Sequence, residues 1–146
     1  MSDPATADRG PATVHVLVGA TACGKTAVAA EVARSLGAEL ASLDSMKVYR
    51  GMDIGTAKPT PAEREGLVWH LLDLVDPVES FSVGRWLEAA DALLADCAGR
   101  GVAVLFEGGS PLYYRALTEG LFEGPPANRE LRRELEAFAG EREVEA

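Results

Sequence analysis

Thr13-Val14-His15-Val16-Leu17-Val18-Gly19-Ala20-Thr21-Ala22-Cys23-Gly24-Lys25-Thr26 is the stretch from which the fold can be read. Its first six residues are mostly β-branched or apolar on both faces, which predicts a buried parallel strand. From Gly19 to Thr26 the chain fits G-x-x-x-x-G-K-[ST] at every fixed position. Lys25 to Leu36 then reads as a helix, with Ala27, Val28, Ala30, Val32, Ala33 and Leu36 as its apolar face and Gly37 as its stop. A glycine-rich turn between a strand and a helix binds anions, because backbone N–H groups point inward and the helix N-terminus adds positive potential. Gly19, Ala20, Thr21, Ala22, Cys23, Gly24, Lys25 and Thr26 are therefore the expected diphosphate- or nucleotide-binding residues. Lys25 would reach terminal phosphate oxygens, and the Thr26 hydroxyl would ligate Mg²⁺. The pattern identifies a phosphate clamp and leaves open whether its ligand is a nucleoside triphosphate or a diphosphate. Cys23 reads first as a small residue that the loop tolerates.

The same alternation continues along the chain. Glu39-Leu40-Ala41-Ser42-Leu43 reads as a second strand, and Asp44 to Pro61 as a long polar loop. Trp69 to Val75 is expected as a third strand closed by Asp76-Pro77. Val83, Trp86, Leu87, Ala90, Leu93, Leu94 and Cys97 recur at helical spacing within 82–99. Val102 to Phe106 is a fourth buried strand, and Gly108-Gly109 turns into a helix through Leu112, Tyr113, Ala116 and Leu117. Gly124-Pro125-Pro126 breaks the chain, and Asn128 caps a charged helix from Arg129 to Phe138. The expected fold is α/β: a P-loop NTPase-like parallel sheet flanked by helices. Residues 1–12 are expected as a disordered lead-in, 13–139 as the core and 140–146 as an acidic tail.

The 146 residues carry 14 Lys plus Arg against 23 Asp plus Glu, a net charge of −9. So acidic a chain is not an obvious nucleic-acid binder, since phosphate contacts usually need a basic face. The charge is unevenly spread, however. Residues 1–60 hold six acids, six bases and all three lysines, so the whole −9 belongs to residues 61–146. No apolar run approaches a membrane span, and the first residues lack a signal-peptide core. Cys23 and Cys97 have no metal-site spacing. The expectation is a soluble cytoplasmic protein with free thiols and no membrane partner.

A second motif is more specific than the clamp. Asp44-Ser45-Met46-Lys47-Val48-Tyr49-Arg50-Gly51-Met52-Asp53-Ile54-Gly55-Thr56-Ala57-Lys58-Pro59-Thr60 closely resembles the corresponding block of the tRNA dimethylallyltransferases, also called tRNA isopentenyltransferases. His70-Leu71-Leu72-Asp73, Phe81-Ser82-Val83 and Gly108-Gly109-Ser110-Pro111-Leu112-Tyr113 follow in the family's order. The resemblance implies transfer of a dimethylallyl group from dimethylallyl diphosphate to the exocyclic amine of an adenosine beside the tRNA anticodon. It implies Asp44 as general base, with Lys25 and Thr26 beside the leaving diphosphate. Asp44, Ser45, Met46, Lys47 and Ser110 would meet the tRNA, with Ser110 keeping the hydroxyl of the family's Thr. Arg50 and Lys58 are candidate phosphate contacts, and Tyr49 reads as a packing residue before a stacking one.

The sequence departs from that pattern at Ala20, Cys23, Lys47 (often Gln), Glu107 (usually uncharged) and Pro111. Glu107 ends a strand, where an acid holds Mg²⁺ through water in many phosphate-loop proteins. It would also place negative charge near a diphosphate, and it is read here as non-catalytic. The family's chains are much longer. The resemblance therefore places this chain on their N-terminal catalytic half, truncated before an inserted helical domain and most tRNA contacts. Impaired activity and weakened tRNA binding are the expectation. A small phosphate-loop kinase or NTPase, a prenyltransferase of free adenine nucleotides, and a non-catalytic remnant are the alternatives.

Overall fold

The computed structural model describes residues 14–20, 22–122, 124 and 128–141. The expected lead-in at 1–12, Thr13, Thr21, Pro125-Pro126 and the acidic end beyond 141 lie outside the described residues.

The elements run β1 (His15–Val18), α1 (Lys25–Leu36), β2 (Glu39–Leu43), α2 (Pro61–Arg64), β3 (Trp69–His70), α3 (Val83–Arg100), β4 (Val104–Gly108), α4 (Pro111–Glu119) and α5 (Arg129–Glu141). The four strands form one parallel sheet in the order β1-β4-β2-β3. The expected α/β architecture is what the chain adopts. Its centre is β4 and β2, whose residues alternate between two cores as a period of two requires. Ala41, Leu43, Val104 and Phe106 face one core with Trp86, Ala90, Leu93 and Cys97 of α3 and Tyr113 of α4. Leu40 and Leu105 face the other with Ala29 and Ala33 of α1. The Trp86 ring lies 4.7 Å from that of Tyr113 and 6.2 Å, edge-on, from that of Phe106. These aromatic contacts fasten α3 and α4 to the same sheet face.

Three expectations need correction. β1 is not a buried strand: His15 and Val18 are exposed and Val16 and Leu17 half-buried. The reason is its place at the sheet edge, with β4 as its one partner in the sheet. The buried stripe of α1 is Ala29, Ala30 and Ala33, whereas Val28, Val32 and Leu36 stay exposed. Small alanines bring the helix close to the central strands and leave the larger side chains outside the contact. The third strand stops after two residues, because Leu71 and Asp73 adopt left-handed backbone at φ 59° and 55°. The chain then runs beside the Asp44–Thr60 loop. Val75 N donates to Val48 O, and Arg50 N to Val75 O.

Two smaller features complete the frame. α2 was not expected within the polar stretch. It is set by a capping box in which the Thr60 side chain accepts from Glu63 N and Glu63 accepts from Thr60 N. α5 is capped by Asn128, whose Oδ1 accepts from Glu130 N and Leu131 N, and it continues to Glu141 rather than ending at Phe138.

The start of β2 is tied to the end of α3 by a polar cluster. Glu39 accepts two hydrogen bonds from Arg100 at 2.7 and 2.8 Å and is paired with His70 Nε2 at 2.7 Å. Hydrogen bonds from Arg100, then those from His70 and Cys97, outweigh burial and lower the Glu39 pKa to about 2. A carboxyl lowered from 4.5 contributes stability that is fully present above pH 4.5 and is lost as the pH falls toward about 2. Glu39→Gln should therefore destabilise the fold at pH 7 and flatten the loss of stability between pH 5 and pH 3. Urea midpoints at the two pH values check this. An equal loss in wild type and variant would exclude Glu39 as its source.

Candidate active site

The C-terminal ends of β1, β2 and β4 open into one cleft of about 540 Å³, where open parallel sheets place their ligands. The phosphate loop forms its first wall. Ala22 and Gly24 hold left-handed backbone at φ 62° and 83°, which turns the chain from β1 into α1. Ala22, Gly24, Lys25 and Thr26 line the cleft, while Gly19, Ala20 and Cys23 are exposed and outside its lining. Lys25 Nζ donates to Ala20 O, and its ammonium stands 3.9 Å from Cys23 Sγ. Gly19 packs tightly there: a Cβ on it would meet Cys23 Sγ and Lys25 Cδ at 3.3 Å.

The residues after β2 form the second wall. One oxygen of Asp44, Oδ1, accepts from Met46 N at 2.8 Å and Lys47 N at 3.3 Å. This turn fixes the carboxylate and leaves its other oxygen without a hydrogen-bond partner among the described residues. Ser45 N donates to Ser110 Oγ at 3.0 Å, joining the ends of β2 and β4. Asp44, Ser45, Met46, Lys47 and Ser110 all line the cleft with Lys25 and Thr26. The fold thus brings together residues that were singled out from two distant motifs.

Glu107, Thr56 and Glu63 also line it and were not among the expected site residues. Glu107 is 1% exposed. It accepts from the Thr26 hydroxyl at 3.1 Å and stands 3.4 Å from the Lys47 ammonium. An acid at a strand end was the one signal available for it. Glu63 was traceable only through the capping box.

Lys58 is turned away from a ligand role. Its buried ammonium donates to Tyr49 O at 2.7 Å and pairs with Asp73 at 2.6 Å and Asp53 at 2.9 Å. Burial alone would lower its pKa, but hydrogen bonds with Asp73 and Asp53 outweigh it and raise the value. Lys58 therefore fastens the long loop to the 71–75 turn. Arg50 does similar work through Leu74 O and Asp76. Tyr49 packs against the core, as expected. At the far end of β2, the ligand atoms of Glu39, His70 and Cys97 also converge, but there Arg100 supplies the positive charge. Burial, then Glu39, pushes the Cys97 thiol up, which keeps it a hydrogen-bond donor. No helix among the described residues is long and apolar enough to cross a membrane.

Comparison with known proteins points one way. The IPP transferase family model matches residues 47–146. A tRNA dimethylallyltransferase of Methylococcus capsulatus is 52% identical over 126 residues, which is 86% of this chain and 40% of the relative. The chain spans about 40% of the length of the curated relatives it matches. The crystal structure of a full-length tRNA isopentenylpyrophosphate transferase from Bacillus halodurans superposes with a TM-score of 0.73 at 41% identity. That match covers 92% of this chain and 45% of the other. A tRNA delta(2)-isopentenylpyrophosphate transferase from Staphylococcus epidermidis gives 0.71 at 36% identity, covering 90% and 43%.

Proposed function

The chain belongs to the IPP transferase family, and from that premise we propose that its cleft transfers a dimethylallyl group from dimethylallyl diphosphate to the exocyclic amine of an adenosine next to the tRNA anticodon. The observation that supports this reading most directly is that Asp44, Lys25 and Thr26 line one cleft. The amine nitrogen forms a bond to the first carbon of the dimethylallyl group. The carbon–oxygen bond to diphosphate breaks, and diphosphate leaves with that electron pair. The amine sheds a proton, which the free oxygen of Asp44 accepts as general base. The backbone amides of the loop and the Lys25 ammonium meet the negative charge that develops on the leaving group. Ser45, Met46, Lys47 and Ser110 line the side on which the nucleotide would enter.

The Thr26 hydroxyl offers an oxygen donor that suits Mg²⁺, and it faces the cleft where the phosphate loop ends. When bound, the ion would neutralise diphosphate charge and polarise the leaving oxygen. Of the acids of residues 61–146, only Glu63 and Glu107 line the cleft among the described residues, and its cations Lys25 and Lys47 come from the charge-balanced first 60.

The test is direct. The chain is incubated with dimethylallyl diphosphate, Mg²⁺ and unmodified tRNA, and the nucleosides are separated after digestion. A prenylated adenosine is the expected product. Its absence at enzyme concentrations equal to the tRNA would overturn the reading for this chain. Calorimetric preference for ATP over dimethylallyl diphosphate would instead favour a kinase or NTPase.

A further inference from the structure

The buried acid of the cleft has a partner of its own, and the pair is unexplained by the transfer chemistry. Glu107 is the penultimate residue of the central strand β4, and Lys47 follows β2. Both side chains are nearly inaccessible, at 2% and 7%, and their charged atoms stand 3.4 Å apart. A buried carboxylate left alone beside a diphosphate site would repel the ligand and be costly to desolvate. A buried lysine left alone would be equally costly. Together they are neutral.

The other oxygen of Glu107 accepts a hydrogen bond from the Thr26 hydroxyl at 3.1 Å. A hydroxyl that ligates a cation through its lone pairs must send its proton elsewhere, and an acceptor behind it fixes which way those lone pairs point. We propose that Glu107 is the positioning residue for Thr26 as a divalent-cation ligand, and that Lys47 is its counter-charge, keeping the cleft open to diphosphate. This rests on the reading above only in taking the cleft as a site for diphosphate with a divalent cation.

The assignment makes the two partners act in opposite directions. Glu107→Gln removes the acid's charge and frees the lysine. Affinity for Mn²⁺ alone should fall tenfold or more, the range seen when a residue behind a metal ligand is changed. Affinity for inorganic diphosphate without metal should rise. Lys47→Gln should do the reverse: Mn²⁺ binds severalfold tighter, and metal-free diphosphate severalfold weaker. Glu107→Asp should recover part of the Mn²⁺ affinity. Both ligands are measured on the full chain, Mn²⁺ by the resonance signal of the free ion and diphosphate by calorimetry.

A merely structural role for either residue would weaken both ligands in its variant and would not produce opposite signs. The crossed pattern is the expected result, and any other pattern overturns the proposal. Should Glu107→Gln not fold, the Lys47→Gln pair of affinities decides by the same rule. The measurements use neither a prenyl donor nor RNA. Crossed affinities without prenyl transfer would sink the proposed function and leave this inference standing. Transfer with uncrossed affinities would do the opposite.

Discussion

Asp44→Asn is expected to slow prenyl transfer by 10² to 10⁴ at saturating dimethylallyl diphosphate, about 3 to 5 kcal/mol in barrier height. Binding of inorganic diphosphate should not weaken, because Lys25 and the loop amides are untouched. The substitution is informative because it separates two roles of one side chain. Oδ1 of Asp44 accepts from Met46 N and Lys47 N and so shapes the turn after β2. An Asn amide oxygen can accept the same two bonds, so the turn is kept. What is lost is the proton acceptor on the other oxygen. Single-turnover assays with unmodified tRNA read the chemical step directly. A rate within threefold of wild type would remove Asp44 as the base and leave it a turn residue.

The second large effect concerns stability. Gly108→Ala is expected to cost about 3 kcal/mol or more, at the upper end of what inserting a buried methyl costs. Gly108 stands opposite Leu43 in the pairing of β4 with β2. A Cβ there would land on the carbonyl oxygen and carbon of Leu43, inside any permitted contact. The obstacle is backbone, so no rotamer change relieves it and the two central strands must part. Against a typical domain stability of about 5 to 15 kcal/mol, this is a large fraction. Gly109→Ala is the control. Its Cβ would meet Gly19 O at 3.3 Å, a contact that a small shift relieves, so less than half the loss is expected. Urea denaturation of the three proteins tests the pair. Equal midpoints for Gly108→Ala and wild type would mean that the strands tolerate separation at this point.

What the sequence made legible was local chemistry with a fixed spacing. The loop from Gly19 to Thr26, the helix behind it and the cap at Asn128 depend on neighbours a few residues away. They could be read without knowing the fold. The position of β1 could not, because an apolar β-branched run looks the same at the edge of a sheet as at its centre. The early end of β3 depends on left-handed backbone at Leu71 and Asp73, and neither residue type announces it. The role of Lys58 was hidden for a different reason. Its partner Asp73 is brought near only when the 71–75 turn docks on the long loop. Glu107 was visible as an unusual acid, but its meaning depends on Thr26 and Lys47, which come from two other elements. In the same way, the gathering of Asp44 and Ser110 into one cleft with Lys25 followed from topology.

That topology also bears on how the chain acquires its shape during synthesis. β1 and β2 are never neighbours, and β4 lies between them, with His15 opposite Leu105 and Leu40 opposite the same residue. A nascent chain that has just left the ribosome with its phosphate loop and first helix complete has no finished sheet to lay them on. Only when β4 emerges can it slot between two waiting strands and close both contacts at once. Such distant pairings are slow to form, and unpaired strands are open to rival partners in the interval. The wait falls on the strand that leads into the phosphate loop, so chaperone dependence and aggregation during expression should respond to changes in β4 more than to changes in the loop itself.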